Sequence, residues 1–201
     1  KLLRSIDEQA ILAVGPVPVE GEDKTFPGGF RVRSEKAPNA RGVRRALEAL
    51  GGKVHDAKGF RRATAKAGGI VVTGNYPGPW KTPSLRDGPF LLLIDTFGGE
   101  LTDRADVVLP AATWAEKAGT FENDQGRMQA FEQAIEPRDF SLAEGQIALD
   151  LMVVMSGDGR RRFNAAEVRA EMADGGLTAM LDVSMPEPTA HVESDMPLVE
   201  I

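Results

Sequence analysis

The chain of 201 residues contains no cysteine at all. Without thiolates it cannot form a disulfide framework, a thiolate-held zinc site or a cysteine-ligated iron–sulfur cluster within its own sequence. Histidine is almost as scarce, since only His55, in a charged stretch, and His191, in a Pro-rich acidic stretch, are present. The sequence therefore predicts no metal site in this chain.

Long apolar runs and clustered positive charge are missing as well. No apolar run approaches the ~20 residues that span a bilayer, and the start of the chain has no pattern of a cleavable leader. The formal net charge is −6, whereas nucleic acids and anionic lipid surfaces attract clustered basic residues. The short cluster at residues 160–162 follows Ser-Gly-Asp-Gly and is interpreted as a solvated connection. We expect no nucleic-acid partner and no direct membrane insertion.

Apolar residues make up 42% of the chain, enough to bury a core. Three short apolar runs, at residues 70–73, 90–94 and 106–109, look like buried strands. They are apolar without alternation, which is typical of strands covered on both faces in a parallel sheet. A further strand is predicted at residues 30–33.

Helical patterns alternate with these runs. In residues 39–50 the apolar positions fall on one face, Asn39 is a candidate N-cap and Gly51-Gly52 can end the helix. In residues 141–155, Ser141 and Glu144 have the spacing of a capping box. Weaker helices are predicted at residues 60–67 and at 164–172, where Asn164 and Glu167 stand at the start.

This alternation predicts an α/β fold with a doubly wound, mainly parallel sheet, helices on both faces, and irregular N-terminal and C-terminal segments. We expect residues 1–29 to be an extended connection, residues 30–156 to form the α/β domain, and residues 157–201 to be a helix followed by a tail. The tail from residue 185 onward is rich in prolines and acids. It is therefore predicted to be an arm or disordered unless a partner holds it.

Candidate functional residues concentrate in residues 91–135. Asp95 directly follows an apolar run, and the carboxyl ends of parallel strands open into the crevice where ligands bind, although a strand-end aspartate can also simply cap the next turn. We expect its side chain to be exposed to that crevice. Gly119 and Gly126 mark points where the backbone needs unusual torsions or close approach.

Other polar and aromatic residues of this region have simpler interpretations. Trp114 and Phe121 are predicted to be core residues and Trp80 a loop anchor. Ion pairs are predicted between Glu116 and Lys117 and between Asp124 and Arg127. The sequence contains no Ser–His–Asp set, no phosphate loop and no paired-carboxylate site, so no catalytic residue is predicted.

The order of motifs in this region resembles the molybdopterin oxidoreductase superfamily. It comprises Asp95 and Phe97, Ala-Asp-Val-Val-Leu-Pro-Ala at 105–111, Glu-Lys-x-Gly-Thr-x-x-Asn at 116–123, and Gly-Arg-x-Gln at 126–129. The resemblance covers about residues 70–155. Residues 35–42, Glu-Lys-Ala-Pro-Asn-Ala-Arg-Gly, resemble a stretch from the branch that contains the large iron–sulfur subunit of NADH-quinone oxidoreductase, complex I. The chain then looks like the back part of a larger subunit.

The resemblance implies a domain like those of formate dehydrogenase and DMSO reductase, and it implies candidate cofactor-binding residues. Asp95 would face the guanine of a molybdopterin guanine dinucleotide, Gly99 would offer its backbone N–H to a phosphate, and Gly119 would let the backbone approach the cofactor. Gly99 and Leu101, however, stand where the family often has threonines. The two missing hydroxyls and the absence of cysteine favour the complex I-like branch, in which this domain often has no cofactor.

Three hypotheses follow for function. The first is a scaffold domain in the electron-transport chain from NADH to quinone, bound to other subunits and to the rest of its own polypeptide, without a cofactor and inactive alone. Such a subunit would be cytoplasmic and peripheral to the inner membrane through its partners. The second is a fragment of a molybdenum or tungsten enzyme, formate dehydrogenase-like, that contributes half of a guanine dinucleotide site. The third is a stand-alone nucleotide-binding module.

Overall fold

The computed structural model describes residues 1–15, 21–34, 37, 39–50, 52–74, 88–123 and 125–172. Within these residues the strands are β1 (Leu12–Ala13), β2 (Lys24–Thr25), β3 (Arg31–Val32), β4 (Val54–His55), β5 (Gly69–Thr73), β6 (Phe90–Asp95), β7 (Val107–Pro110), β8 (Gly119–Glu122) and β9 (Met128–Phe131). The α-helices are α1 (Leu2–Ile6), α2 (Ala40–Ala49), α3 (Ala57–Ala63), α4 (Glu100–Arg104), α5 (Glu144–Ser156) and α6 (Ala165–Met172), and a 3₁₀ helix covers Trp114–Glu116.

The centre of the molecule is a three-stranded parallel sheet in the order β5-β6-β7. Leu93 of the middle strand is in register with Val72 on one side and with Val108 on the other. The three predicted strands and their parallel pairing are confirmed, and so is the α/β class with a parallel sheet. These strands follow one another in chain order. The other described strand pairs form separate two-stranded sheets, β1 with β4, β2 with β3 and β8 with β9.

Helices cover both faces of the parallel sheet because successive side chains of a strand point to opposite sides. On one face, Leu93 is fully buried and packs with Leu101 of α4 and Phe60 of α3. On the other face, Ile94 packs with Ile147 of α5. The absence of alternation in the sequence of β6 is thereby explained, and the predicted helices on both faces are confirmed.

Helix α2 lies where it was predicted, between Asn39 at its N-cap position and Leu50 at its C-cap position. Asn39 has a φ of 62° and its side chain makes no cap hydrogen bond, so the predicted capping role is wrong. The predicted apolar face is also only partly covered, since Val43 and Leu50 are exposed. The buried residue of α2 is Gly42. The side chain of Asn39 is instead engaged by a distant strand, as described below.

Helix α5 begins later than predicted, at Glu144. Leu142 forms a parallel bridge with Ala111, and its carbonyl accepts the N–H of Ala112 at 2.8 Å, which keeps this residue extended. The Ser141 hydroxyl donates to the carbonyl of Arg138, and Glu144 pairs with Lys117, so the predicted capping box is wrong. The helix ends at Ser156, and Gly157 at the C-cap has a φ of 76°, which glycine readily adopts.

Two other helices show how local capping determined their starts. Asp56 accepts the N–H of Gly59 at 2.6 Å and begins α3 at Ala57, earlier than the predicted start at residue 60. Asn164 accepts the N–H of Ala166 at 2.9 Å and begins α6. The predicted start of the second helix is confirmed.

The N-terminal segment is more ordered than the predicted extended connection over residues 1–29. It contains α1, β1 and β2, and β1 pairs in parallel with β4. Helix α1 packs against α5, which gives its apolar residues a partner that the local sequence does not reveal. The division at residue 29 stays a prediction. Outside the described residues lie Trp80, Asp124 with its predicted ion pair to Arg127, His191 and the tail from residue 185 onward.

The segment that follows α5 folds back along that helix. The Arg160 guanidinium donates to both carboxylate oxygens of Asp150 at 3.0 Å. The N–H of Phe163 donates to the side-chain oxygen of Gln146 at 2.7 Å, and the Phe163 ring lies over Gly145, where a Cβ would come within 2.2 Å of it. The predicted solvated connection is largely exposed, but it is anchored to the helix at these points.

Candidate functional site

Asp95 is the last residue of β6 and is in register with Pro110, the last residue of β7. Its backbone carbonyl accepts the N–H of Ala111 at 2.9 Å, so the ladder continues to the end of both strands. Asp95 therefore lies at the carboxyl edge of the parallel sheet, as the sequence predicts. Open α/β sheets bind their ligands at this edge.

The carboxylate of Asp95, however, turns inward. The residue is only 6% exposed, and Oδ1 accepts the N–H groups of Thr96 at 2.6 Å and of Phe97 at 3.2 Å. The expected exposure to a crevice is wrong, because the chain turns directly after the strand and brings its own N–H donors onto the carboxylate. Oδ2 is buried and has no hydrogen-bond partner among the described residues.

Gly99 precedes α4 in the same turn. Its N–H donates to the hydroxyl of Thr102 at 3.0 Å. Thr102, which was not predicted from the sequence, supplies a hydroxyl one position beyond Leu101, and its place three residues after the N-cap could have indicated it. Leu101 is 2% exposed and belongs to the core beneath the sheet. An apolar residue at this position is explained by that burial.

Gly119 begins β8 and is paired with Phe131 of β9. A Cβ on Gly119 would lie 2.6 Å from the Phe131 Cζ atom, and the Phe131 ring stacks on Phe121 with centroids 4.7 Å apart. The close approach that the sequence predicts at Gly119 is thus made here by an aromatic ring of the neighbouring strand. Gly119 lies in a different sheet from Asp95 and Gly99, which share one turn.

These observations test how well the chain fits a guanine dinucleotide. A carboxylate that reads guanine has to offer two oxygens side by side, whereas Oδ1 of Asp95 is engaged within its turn and Oδ2 is sealed from solvent. The Gly99 N–H is donated to Thr102, and the space above Gly119 is filled by Phe131. In this arrangement the three residues do not fit the cofactor, because none of them is open to it.

The motif residues after Gly119 build a hairpin turn between β8 and β9. The side-chain oxygen of Asn123 accepts the N–H groups of Gln125 at 2.9 Å and of Arg127 at 3.0 Å. Gly126 has a φ of 81°, a region where glycine is favoured. The unusual torsion predicted at Gly126 is confirmed, and the asparagine and glycine of the motif have structural roles.

The N-terminus of α2 is docked onto this hairpin. The Asn39 amide nitrogen donates to the Thr120 carbonyl at 3.0 Å, and its oxygen accepts the N–H of Glu122 at 2.7 Å. The Arg41 guanidinium donates to the Asn123 carbonyl at 2.9 Å. A Cβ on Gly42 would lie 3.0 Å from the Glu122 Cβ, so glycine allows the close contact. Residues 39–42, from the upstream resemblance, thus contact the downstream motif.

Glu122 lies at the centre of this contact. Its side chain is only 1% exposed, and its carboxylate faces Arg45 at 3.5 Å and Arg41 at 3.9 Å. Oε2 has no hydrogen-bond partner among the described residues, so the stabilisation of this buried charge depends on the two guanidinium groups. Glu122 was not predictable as a site residue from the sequence, because its partners Arg41 and Arg45 lie about 80 residues upstream.

Glu116 and Lys117 do not pair with each other as predicted. The buried Glu116 carboxylate accepts the N–H groups of Thr113 at 2.7 Å and of Arg138 at 3.1 Å. The hydrogen bond from the Thr113 backbone, with a smaller contribution from Arg138, holds the pKa of Glu116 below its ordinary value. Lys117 contacts both carboxylate oxygens of Glu144 at 2.6 and 2.7 Å and so joins the 3₁₀ helix to α5.

Two predicted core aromatics lie at the surface of this region. Trp114 is 68% exposed and Phe121 is 37% exposed, so their prediction as core residues is wrong for Trp114 and only partly met by Phe121, whose ring stacks on Phe131. Among the described residues, no group of three or more acidic or histidine side chains is placed to hold a metal ion. No helix in the described part of the chain is both long and apolar enough to cross a membrane.

Comparison with known proteins shows which protein family this region resembles. Residues 85–141, which include β6, β7 and the turn that holds Asp95 and Gly99, match the family model described as molybdopterin oxidoreductase. The resemblance to that family is therefore confirmed for this part of the chain.

The relatives include proteins of both branches that the sequence suggested. The "F420-dependent formate dehydrogenase 2 subunit alpha" of Methanococcus maripaludis is 37% identical over 91 residues, which are 45% of this chain and 14% of that protein. The G subunit of the NADH-quinone oxidoreductase of Streptomyces coelicolor is 39% identical over 82 residues, 40% of this chain and 10% of that protein. A "Nitrate reductase" of Symbiobacterium thermophilum is 39% identical over 62 residues, 31% of this chain and 8% of that protein. The aligned stretches thus cover a small part of each relative.

Proposed function

We propose that this chain is a scaffold domain of a molybdopterin oxidoreductase-like subunit of NADH-quinone oxidoreductase. It contributes folded structure and interfaces to electron transfer from NADH to quinone and carries no catalytic residue of its own. The observation that carries the proposal is that the three candidate cofactor-binding residues contact the protein itself. Asp95 and Gly99 are hydrogen-bonded within their own turn, and the Phe131 ring fills the space at Gly119.

The contacts around the motif support the same conclusion. The motif asparagine and glycine build a hairpin turn, and the upstream stretch docks onto that hairpin through Asn39 and Arg41. These residues are hydrogen-bonded to one another, so their pattern is explained by the fold. A domain of this kind can retain the family's motifs without the family's cofactor.

The proposal includes the setting of the domain. Its partners are the remainder of its own polypeptide and other subunits of a respiratory complex, and it is cytoplasmic, held at the inner membrane through those partners. The matched relatives are themselves named as alpha and G subunits, which supports an assembly of several subunits. The domain division predicted at residues 29 and 156 is part of the same proposal.

A second candidate is a fragment of a formate dehydrogenase-like enzyme that contributes half of a molybdopterin guanine dinucleotide site. The orphaned Oδ2 of Asp95 favours it, because a buried carboxylate oxygen without a donor is costly and a guanine would supply donors. Reaching Oδ2 would require the turn at residues 96–99 to open.

The two candidates are separated by titrating the full chain with GDP while recording amide NMR signals of residues 88–105. The scaffold proposal predicts binding that is millimolar or undetectable. The enzyme-fragment candidate predicts binding that moves the signals of Thr96 and Phe97 and is lost in Asp95→Asn. Asp103→Asn is the matched control, since Asp103 is exposed on α4 close by in the chain.

Metal content and activity provide an independent test. Purified full chain should contain no stoichiometric molybdenum, tungsten or iron and should not oxidise formate or NADH or reduce nitrate. Stoichiometric molybdenum or tungsten, or micromolar GDP binding that depends on Asp95, would overturn the scaffold proposal in favour of the second candidate. Binding that survives Asp95→Asn would indicate the third hypothesis, a nucleotide-binding module with a different site.

A further inference from the structure

One segment of this acidic chain is strongly basic. Residues 53–66 contain five lysines and arginines but a single acid, Asp56, whereas the whole chain has 30 acidic and 24 basic residues. The five basic side chains are all exposed, and they belong to Lys53, Lys58, Arg61, Arg62 and Lys66. The expectation that clustered positive charge is missing, which follows from the net charge, is therefore wrong for this segment.

Helix α3 presents three of these residues on one face. Lys58, Arg61 and Arg62 are three and four positions apart, so their side chains lie on the same side of the helix. Phe60 lies on the opposite side and packs against the core beneath the parallel sheet. The carboxylate of Asp56 accepts a backbone N–H of the first turn at 2.6 Å and fixes the start of the helix. The three basic residues, here called the α3 basic surface, are thus held outward by a helix that is anchored to the core.

The α3 basic surface has no counter-charge in the described part of the chain. None of the described carboxylates forms an ion pair with its three side chains. Elsewhere in the same chain, by contrast, Arg160 pairs with Asp150 and Lys117 pairs with Glu144. The one acid of the basic segment, Asp56, is engaged as the N-cap of α3. The α3 basic surface can therefore receive carboxylates from another polypeptide.

The placement of Lys58 works against the stability of its own helix. Lys58 lies in the first turn of α3, where the helix dipole disfavours a positive charge and an acid would be stabilising. Its charge also repels the like charges three and four positions further on. The dipole explains the two arginines, which lie in the last turn, but it does not explain Lys58. A charge that lowers helix stability and has no partner within the fold indicates a partner outside it.

We propose that the α3 basic surface, flanked in sequence by Lys53 and Lys66, docks an acidic peptide segment of a partner protein. The guanidinium groups of Arg61 and Arg62 can each bind a carboxylate through two N–H groups, and Lys58 adds a third positive charge. The surface lies outside residues 85–141, which match the family model. It adds a docking function to the scaffold and does not depend on whether the Asp95 turn binds a nucleotide.

The surroundings of the surface favour a peptide over a lipid or a nucleic acid. The described side chains of residues 53–66 include no exposed large apolar or aromatic residue. Stable attachment to a membrane needs an apolar or acyl anchor in addition to basic residues. Single-stranded nucleic acids are bound by stacking on aromatic side chains as well as by charge. Carboxylates of a peptide need only the charges and hydrogen-bond donors that α3 offers.

Titration of a dye-labelled decaglutamate peptide with the full chain, followed by fluorescence anisotropy, tests the proposal. The peptide should bind, and raising the salt from about 0.05 M to about 0.2 M should weaken binding by about tenfold, since salt screens charge pairs at a surface. Arg61→Glu combined with Arg62→Glu should weaken binding at least about tenfold, because repulsion replaces attraction at two contacts. Arg161→Glu combined with Arg162→Glu is the matched control, since both arginines are exposed and the net charge changes equally. The control should weaken binding less than about threefold, because its charges lie away from α3 and are screened.

A second variant guards against loss of the fold. Lys58→Glu combined with Lys66→Glu should also weaken binding at least about tenfold, and an acid in the first turn of α3 is favourable to the helix. Unchanged amide NMR signals from residues 88–123 verify that each variant is folded. This readout concerns residues 53–66, so its failure leaves the GDP titration of the Asp95 turn unaffected.

Three results would overturn the proposal. The first is undetectable binding of decaglutamate at low salt. The second is an equal loss of binding in the α3 variants and in the control variant, because binding would then follow net charge alone. The third is tighter binding to a DNA oligonucleotide, or to vesicles of equal parts phosphatidylcholine and phosphatidylglycerol, than to decaglutamate, because the partner would then be a nucleic acid or a lipid surface.

Discussion

Gly119 and Phe131 face each other across the β8–β9 pair, and the Phe131 ring occupies the space that a side chain at position 119 would need. The ring in turn stacks on Phe121 at an interplanar angle of 16°. A motif glycine that suggested contact with a cofactor is thus required by packing within the protein. This relationship can be tested without any ligand.

Gly119→Ala should destabilise the fold by about 1–3 kcal/mol, the usual cost of inserting a methyl group into a filled space. Chemical denaturation of the full chain measures it. Gly98→Ala is the control, because a Cβ there has no atom within 4 Å and Gly98 has no positive φ. Adding Phe131→Leu to Gly119→Ala should recover part of the loss, and strictly additive effects would contradict the proposed contact.

Asn39→Ala should cost about 2–3 kcal/mol of unfolding free energy. The change removes hydrogen bonds to Thr120 and Glu122, worth about 1 kcal/mol each, and forces alanine into a left-handed conformation that costs it about 1 kcal/mol. Asn39→Gly removes the same hydrogen bonds but tolerates the φ of 62°, so it should be less destabilising than alanine. Equal losses for the two variants would show that the torsion makes no contribution.

Glu116 should make the stability of the protein depend on acid pH. Its pKa is lowered in the folded state, mainly by the Thr113 backbone N–H, so the contribution is complete above the ordinary carboxyl value of 4.5 and is lost as pH falls through the folded value. Glu116→Gln should lower the melting temperature near neutral pH and flatten its decline below pH 4.5. Thermal unfolding followed across acid pH measures both effects. A parallel decline in wild type and variant would contradict this role.

Leu93→Ala should destabilise the protein by about 2–5 kcal/mol, because Leu93 of β6 is fully buried against α3 and α4 and its truncation leaves a cavity. Denaturation midpoints at constant m-value provide the measurement. Phe140→Ala is the comparison, since Phe140 is 89% exposed and its loss should change stability by no more than about 0.5 kcal/mol. Similar effects of the two changes would place the core elsewhere.

Several features were predictable from the sequence because they depend on neighbouring residues. The continuous apolar runs of β5, β6 and β7 predicted buried parallel strands, and the spacing of Asn164 and Glu167 predicted the start of α6. Gly126 was predicted to need an unusual backbone torsion, and it has a positive φ. In each case the cause acts within a few residues of the chain.

The capping predictions failed where a distant strand competed for the same side chain. Ser141 and Glu144 have the spacing of a capping box, but the bridge from Leu142 to Ala111 holds the chain extended and Lys117 attracts the Glu144 carboxylate. Asn39 likewise bonds to a hairpin 81 to 83 residues away instead of capping α2. Local spacing carries no information about such partners.

The sequence by itself determined the α/β class, the three parallel strands, the strand-end position of Asp95 and the resemblance over about residues 70–155, of which the family model matches residues 85–141. Only the tertiary structure decided that the Asp95 carboxylate turns inward, that Phe131 fills the space at Gly119, and that Glu122 is buried beneath two arginines. The physical reason is the distance along the chain over which each effect acts. Strand burial follows from the hydrophobicity of consecutive residues, whereas the partner of a polar or aromatic side chain depends on which distant segments the packed fold brings within contact distance.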